Sequence, residues 1–377
     1  MKVLQLSKFY PPVMGGIEAV AWELTEGLNR LGVPTDVLCS GRQWRSVHQV
    51  AKSGYAIARA GTLGMLQSTS MAPPMLPLLR HMAAAADIVH LHMPDPMAAA
   101  AFWAVRPRAK LVVHWHSDVI RQRLALRAYQ PLQNWLLERA DAIVATSPPY
   151  AQTSASLAPW RAKVHVIPIG ISDNRPVACS VKAEALRRRF GHRRIVFALG
   201  RMTYYKGFDV LIDAASRLSD DCVVLIGGEG ELLAAYRELI RARGLGHTGH
   251  LLGHVRGADL PSHVEACDVF CMPSTVRAEA YGVAMVEAMV MGKPIVATDI
   301  AGSGVPWVNV HGRTGLNVPV RDPGALADAL HALLSDVALR RRMSAASRRR
   351  YEEEFRAVLM TRRTRDLYSG LVGSVRG

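Results

Sequence analysis

Short apolar runs alternate along the chain with segments whose apolar positions recur every three or four residues, a pattern that predicts parallel sheets covered by helices. Val3 to Leu6, Thr35 to Cys39, the runs IVHLHM and LVVHWH, and Asp141 to Thr146 read as buried strands in the first half. Arg194 to Leu199, Cys222 to Ile226, His250 to His254, Asp268 to Met272 and Pro294 to Thr298 repeat the pattern in the second. Between them lie helical stripes: Ile17, Val20, Ala21, Leu24 and Leu28; then Phe208, Leu211, Ile212 and Ala215; then Val283, Val286, Met289 and Val290. Val119 to Ala140 is helical on both sides of Pro131, which kinks it or starts a second helix. Residues 41–82 are the least regular, mixing Arg42, Arg45, Lys52, Arg59 and Arg80 with Trp44, Tyr55 and MAPPMLPLLRHM, and read as short elements and loops.

At 377 residues the chain is too long for one ordinary core, so two domains are expected, with the proline- and glycine-bearing run KVHVIPIGISDNRP as linker. Lys and Arg outnumber Asp and Glu by 46 to 31, a net +15 that points to an acidic partner: nucleic acid, anionic lipid or a nucleoside diphosphate. A non-enzymatic polyanion binder would fit the charge alone. Yet no nucleic-acid module is recognisable, and an aromatic content of 6% is low for stacking on single strands. Five cysteines without a C-x-x-C indicate neither a disulfide framework nor a zinc site, which suits a reducing cytosol. The opening apolar run is too short for a secretory core and no segment reaches membrane-span length, so a membrane is expected to be met at its surface.

Chemistry concentrates in RAEAYGVAMVEAMVMGKPIVAT, which sets Glu279 and Glu287 eight positions apart around Gly282. Ala280 to Val283 can aim successive amide N–H groups at an anion where the helix begins. Read alone, the two acids are equally compatible with solvated glutamates favoured by the helix dipole. Arg201 and Lys206 flank the turn from Leu199 into the next helix, where a guanidinium fork and an ammonium can grip a diphosphate; two solvated loop cations are the plainer alternative. Gly15 and Gly16 make a strand–turn–helix without the G-x-G-x-x-G of dinucleotide sites, and the turn GGEGELL is weak evidence by itself. His90 with His92, and His114 with His116, share faces at strand periodicity. With no fixed acid or cysteine beside them they read as polar caps to the sheet rather than metal ligands.

The spacing of Glu279 and Glu287, the glycine between them and the tail EAM-x-x-GKP resemble the E-x7-E motif of retaining glycosyltransferases of the GT-B fold, specifically glycosyltransferase family 4. Gly200, Arg201, Lys206 and Gly207 match that family's donor-diphosphate motif, and VVHWHSD, YQPLQNWLLERAD and IVATSPPY resemble bacterial mannosyltransferases of O-antigen or exopolysaccharide assembly. The resemblance implies an α/β protein of two Rossmann-like domains facing a central cleft. Residues 1–170 would be the acceptor side, 171–181 the linker, 182–355 the nucleotide-sugar side, and 356–377 a helix returning to the first domain. It also implies that Glu279 contacts the transferred sugar, Glu287 the ribose, and His116 the sugar from the first domain, with Asp118 orienting a neighbour or capping a helix. Arg201, Lys206, Gly16, Arg256, Gly282 and Val283 would line the nucleotide and diphosphate. No cofactor is expected, and the leaving group would need no metal. The implied reaction moves a hexose, with mannose from GDP-mannose preferred, to a lipid-linked saccharide on a polyprenyl diphosphate, with no nucleic acid as partner. Rhamnosyl or UDP-hexose transfer and a nucleotide-sugar epimerase are the alternatives. The expected place is cytoplasmic, peripheral on the anionic inner face of the cytoplasmic membrane.

Overall fold

The computed structural model describes residues 1–13, 15–66, 69–118, 123–173, 180–255 and 257–373. The chain divides into two compact units, Met1–Ile171 with Ala357–Gly377, and Ser172–Arg356. Both are Rossmann-like: a parallel sheet whose strands are near-continuous apolar runs because helices cover both faces.

The first unit contains β1 (Val3–Ser7), β2 (Thr35–Ser40), β3 (Val47–Val50), β4 (Ala56–Ala60), a small hairpin of β5 (Met65–Leu66) and β6 (Thr69–Ser70), and then β7 (Ile88–Met93), β8 (Lys110–Trp115), β9 (Ala142–Ala145) and β10 (Val164–Val166). The main sheet runs β10-β9-β8-β7-β1-β2-β4-β3, parallel except for the antiparallel edge strand β3. Its order reverses between β1 and β7. The helices α1 (Gly16–Arg30), α2 (Met75–Ala83), α3 (Pro96–Val105), α4 (Arg123–Arg139) and α5 (Pro148–Thr153) connect the strands. Pro131 lies inside α4 and does not divide it. The stripe read from Ile17 to Leu28 is α1, with Val20, Ala21, Leu24 and Leu28 buried.

The second unit opens with α6 (Ser180–Arg189) and is built on β11 (Arg194–Leu199), β12 (Cys222–Gly227), β13 (Gly249–Gly253), β14 (Val269–Met272), β15 (Ile295–Thr298) and β16 (Gly315–Val318). The order β13-β12-β11-β14-β15-β16 is that of a dinucleotide-type sheet, with its switch point between β11 and β14. The helices α7 (Phe208–Ala215), α8 (Leu233–Ala242), α9 (Leu260–Ala266), α10 (Val283–Val290), α11 (Val305–Val308), α12 (Pro323–Ser335) and α13 (Val337–Arg350) complete it. Val224 and Ile226 of β12 pack with Leu211 of α7 and with Leu330 and Leu333 of α12 in one core. Each such buried aliphatic side chain stabilises the fold by about 1.5–3 kcal/mol.

A last helix, α14 (Ala357–Gly373), belongs to the first unit and lies along α1. Gly27 of α1 faces Thr361 so closely that a Cβ there would collide with the threonine side chain. Farther along, the Met360 sulfur accepts a hydrogen bond from Gly170 N–H at 3.3 Å, and the Tyr368 hydroxyl stands 2.5 Å from His90 Nδ1.

Candidate active site

In the second unit the functional candidates collect at the carboxyl ends of β11 and β14, on either side of the switch point. Two loops are joined there: Thr275, after β14, donates its N–H to the Tyr205 carbonyl, after β11, at 2.8 Å. Gly207 makes this approach possible. It caps α7 with φ +65°, and a Cβ at that position would overlap the Pro273 carbonyl oxygen. The stitched loops place Lys206 Nζ 2.5 Å from Glu279 Oε2, the same oxygen that accepts from Ser274 Oγ at 3.0 Å. Ser303 Oγ donates to the Glu279 carbonyl and so fixes the backbone as well.

Both charged groups are largely buried, at 13% and 10% side-chain exposure, so each needs the other. Burial alone would lower the Lys206 pKa, but the Glu279 carboxylate outweighs it and the net shift is upward. Arg201 is exposed on the same turn, near enough for its charge to oppose protonation of Lys206. Two cations and a carboxylate thus share one loop cluster. Gly282, at φ +86°, caps α10 and accepts from Met285 N–H at 2.9 Å, while Val283 and Ala284 begin the helix at positions whose N–H groups have no acceptor a turn earlier. Glu287 sits half-buried in the second turn of α10. Arg256 lies outside the described residues.

In the first unit Gly16 begins α1 at the carboxyl end of β1, exposed, and His116 follows β8. His116 is one of four buried histidines on a single sheet face, arranged as two chains. His116 Nε2 is 2.9 Å from His92 Nδ1, and His92 Nε2 is 2.9 Å from Gln5 Oε1. In the other chain the Tyr368 hydroxyl meets His90 Nδ1, and His90 Nε2 is 3.2 Å from His114 Nδ1. Since Gln5 Oε1 only accepts, His92 carries its proton on Nε2, and its bare Nδ1 accepts a hydrogen bond from His116 Nε2–H. His116 is thereby held as the tautomer whose Nδ1 is a bare acceptor. Burial, reinforced by the neighbouring rings, keeps His90, His92 and His116 well below the usual imidazole range, and burial pushes His114 down to about 3.

Nitrogens of His90, His92 and His114 lie within 4.8 Å of one another, the spacing of a possible metal cluster. In this structure the same nitrogens are engaged with side chains: His90 Nε2 faces His114 Nδ1 at 3.2 Å, and His92 faces Gln5 and His116 at 2.9 Å each. The His92 and His116 rings are within 16° of parallel with centroids 5.2 Å apart, which at 2.9 Å between nitrogens is an edge-to-edge N–H···N contact. Asp118 accepts from Trp115 Nε1 at 3.0 Å and from Ser154 Oγ at 2.7 Å, and so ties down the segment after β8.

The chain is 34% identical over 359 residues to D-rhamnosyltransferase WbpZ of Pseudomonas aeruginosa, covering 95% of this chain and 93% of that protein. It is 32% identical to O-antigen chain mannosyltransferase C of Escherichia coli, covering 99% and 100%. Residues 14–175 match the family described as Glycosyltransferase Family 4, and residues 184–350 match Glycosyl transferases group 1. The chain belongs to glycosyltransferase family 4. It is a retaining glycosyltransferase, and its fold agrees with solved structures of that class. Sucrose-phosphate synthase from Thermosynechococcus elongatus superposes with a TM-score of 0.82 at 20% identity, over 99% of this chain and all of that one. Anabaena HepE in complex with UDP gives 0.74 at 20% identity, over 98% and 100%. As a family 4 glycosyltransferase the protein has Lys206 and Glu279 where its two motifs converge. Sequence reasoning missed Ser274, Ser303 and Gln5, and named His92 without its hydrogen bond to His116. Gln5 alone left a signal, as a polar residue in the otherwise apolar strand VLQLS.

Proposed function

We propose that the protein transfers a manno-configured hexose from a nucleoside-diphosphate sugar to a hydroxyl of a lipid-linked saccharide, retaining the anomeric configuration. The observation that carries this is the Lys206–Glu279 pair at the switch point between β11 and β14, with Arg201 beside it. The ammonium and guanidinium would hold the β-phosphate as charge develops on it, and the N-terminus of α10 would add its amide donors. Glu279 would orient Lys206 and accept hydroxyl protons of the sugar, while Glu287 would take the ribose hydroxyls. Gly16 and His116 are assigned to the diphosphate and the sugar, and Arg256 to the base, by the family's motif alone.

The sugar C1–O bond to the β-phosphate breaks as a C1–O bond to the acceptor oxygen forms on the same face. The acceptor's proton passes to the departing phosphate oxygen, so no separate base is required. Cations and helix donors substitute for a metal at the leaving group, and a chelator should leave the rate unchanged. Two full-length relatives act on closely related sugars, since D-rhamnose is mannose without its C6 hydroxyl. GDP-mannose is the first donor to test. No helix among the described residues is long and apolar enough to cross a membrane. In this reading a polyprenyl-linked acceptor is met at the anionic inner face of the cytoplasmic membrane, as the acceptor's own lipid anchor requires a membrane surface.

The test is nucleotide release from GDP-, UDP-, dTDP- and ADP-sugars, with and without a polyprenyl-diphosphate saccharide, in wild type and Glu279→Gln. Release from one donor that rises with acceptor and is lost in the variant supports transfer. Acceptor-independent conversion of the donor sugar would indicate an epimerase, and absence of both release and donor binding would refute the reading.

A further inference from the structure

Six of the thirteen large hydrophobic side chains exposed among the described residues fall between positions 44 and 71: Trp44, Val50, Leu63, Met65, Leu66 and Met71. Leu63 is 79% exposed and Trp44 70%, values unusual for residues held in defined backbone. The backbone here is defined. Thr62 N–H bonds the Gln43 carbonyl at 2.8 Å and Gly61 N–H bonds Ser46 Oγ at 3.0 Å, which binds the Trp44 loop to the base of the β5–β6 hairpin. Leu63 and Met71 close the hairpin base through a 2.8 Å backbone bond, and Met65 and Leu66 pair with Ser70 and Thr69. Apolar side chains are therefore displayed on a built edge of two adjoining loops.

Charge separates what such an edge can meet. The first unit holds 21 Lys and Arg against 10 Asp and Glu, which is +11 of the chain's +15. Arg42 and Arg45 are exposed in the Trp44 loop itself, with the Arg45 guanidinium 4.5 Å from the Trp44 ring centroid. Aromatic and aliphatic tips beside arginines match the two layers of a bilayer interface, acyl chain below and phosphate above.

We propose that the Trp44 loop and the β5–β6 hairpin seat the protein on an anionic lipid surface, with Leu63, Leu66 and Trp44 entering the acyl boundary and Arg42 and Arg45 at the phosphates. This rests on the reading above only in that a lipid-linked acceptor brings the enzyme to a membrane, and its test uses no sugar. The full chain is mixed with vesicles of phosphatidylcholine alone or with added phosphatidylglycerol, and partition is read by sedimentation.

Wild type should favour the anionic vesicles. Arg42→Gln with Arg45→Gln should lower that partition roughly 25-fold, at about fivefold per cation lost near the surface. Leu63→Ser with Leu66→Ser should lower it on the order of tenfold or more. Lipids brominated on the acyl chain should quench wild-type tryptophan fluorescence more than that of Trp44→Phe. Unchanged melting and unchanged GDP or UDP binding show that the variants are folded. Variants that sediment like wild type, a wild type that ignores phosphatidylglycerol, or an edge whose mutation dissolves a dimer while leaving partition intact would each overturn the proposal. A chain that transfers sugar yet fails here keeps its activity and loses only this edge; one that seats on lipid but transfers nothing does the reverse.

Discussion

Lys206 Nζ and Glu279 Oε2, 73 positions apart in sequence, meet at 2.5 Å because Gly207 lets the loop after β11 lie against the loop after β14. Each removes the cost of burying the other. Replacing Lys206 with Met should destabilise the second unit by about 2–4 kcal/mol, since Glu279 would remain buried without its counter-ion. Urea unfolding checks this. A loss within error of zero would mean that water reaches the pair freely.

The same pair separates the two motif glutamates kinetically. Glu279→Gln should lower turnover about 100- to 1,000-fold by removing the group that orients the leaving-group cation. Glu287→Gln should act mainly on nucleotide affinity, on the order of tenfold, as one charge-assisted hydrogen bond is lost. Steady-state rates beside nucleotide titrations distinguish them. Equal, small effects on both would remove the donor-site assignment.

Much of this was legible. The strand runs, the α1, α7 and α10 stripes and the two motifs could be read because buried parallel strands and helix faces leave strong periodic signals. Residues 41–82 could not, because β3, β5 and β6 are short and mostly exposed, and an exposed edge imposes no apolar alternation. Ser274 and Ser303 act through single hydroxyls, which no spacing marks. The meeting of Lys206 with Glu279 depends on strand order, and strand order is set by packing across the sheet rather than by any local pattern.

Gly207→Ala tests that dependence. The position combines φ +65° with direct contact to Pro273, so an added methyl must displace one loop. A loss of at least about 2 kcal/mol is expected. The transfer rate should fall as well, because Lys206 is the adjacent residue. Calorimetry and a transfer assay on the same sample suffice; a variant as stable and active as wild type would show that the junction is loose.

The histidine chains make the first unit acid-sensitive. Their folded pKa values lie below the unfolded value near 6.5, with His114 at about 3, so the unfolded chain binds more protons as pH falls. Their stability contribution is complete above pH 6.5 and lost progressively as pH falls below it, with the His114 part gone at about pH 3. Unfolding free energies taken across pH 7.5 to 4 should decline. In His114→Asn the decline should be shallower by one proton, about 1.4 kcal/mol per pH unit. A flat profile in wild type would contradict neutral buried rings.

Gln5 and His92 should hold the tautomer of His116. Two-bond proton–nitrogen spectra of the wild type are expected to show His116 protonated on Nε2. Gln5→Leu should release that preference while leaving the melting temperature nearly unchanged, and should lower turnover tenfold or more if a sugar hydroxyl donates to Nδ1. Gln5→Glu, which keeps an acceptor, should restore both. Tautomers mixed equally in the wild type would end this assignment.

The return of α14 to α1 orders the events of synthesis. The second unit is one continuous stretch, Ser172–Arg356, and every residue it needs is encoded before α14. The first unit, although begun earlier, lacks Thr361 against Gly27 and Tyr368 against His90 until almost the whole chain is translated. The later-encoded unit therefore needs nothing from α14, while the earlier one waits for it with α1 and the buried histidine face uncovered. A premature stop near position 356 would release a finished second unit joined to an unfinished first one, a species open to recognition by chaperones and proteases.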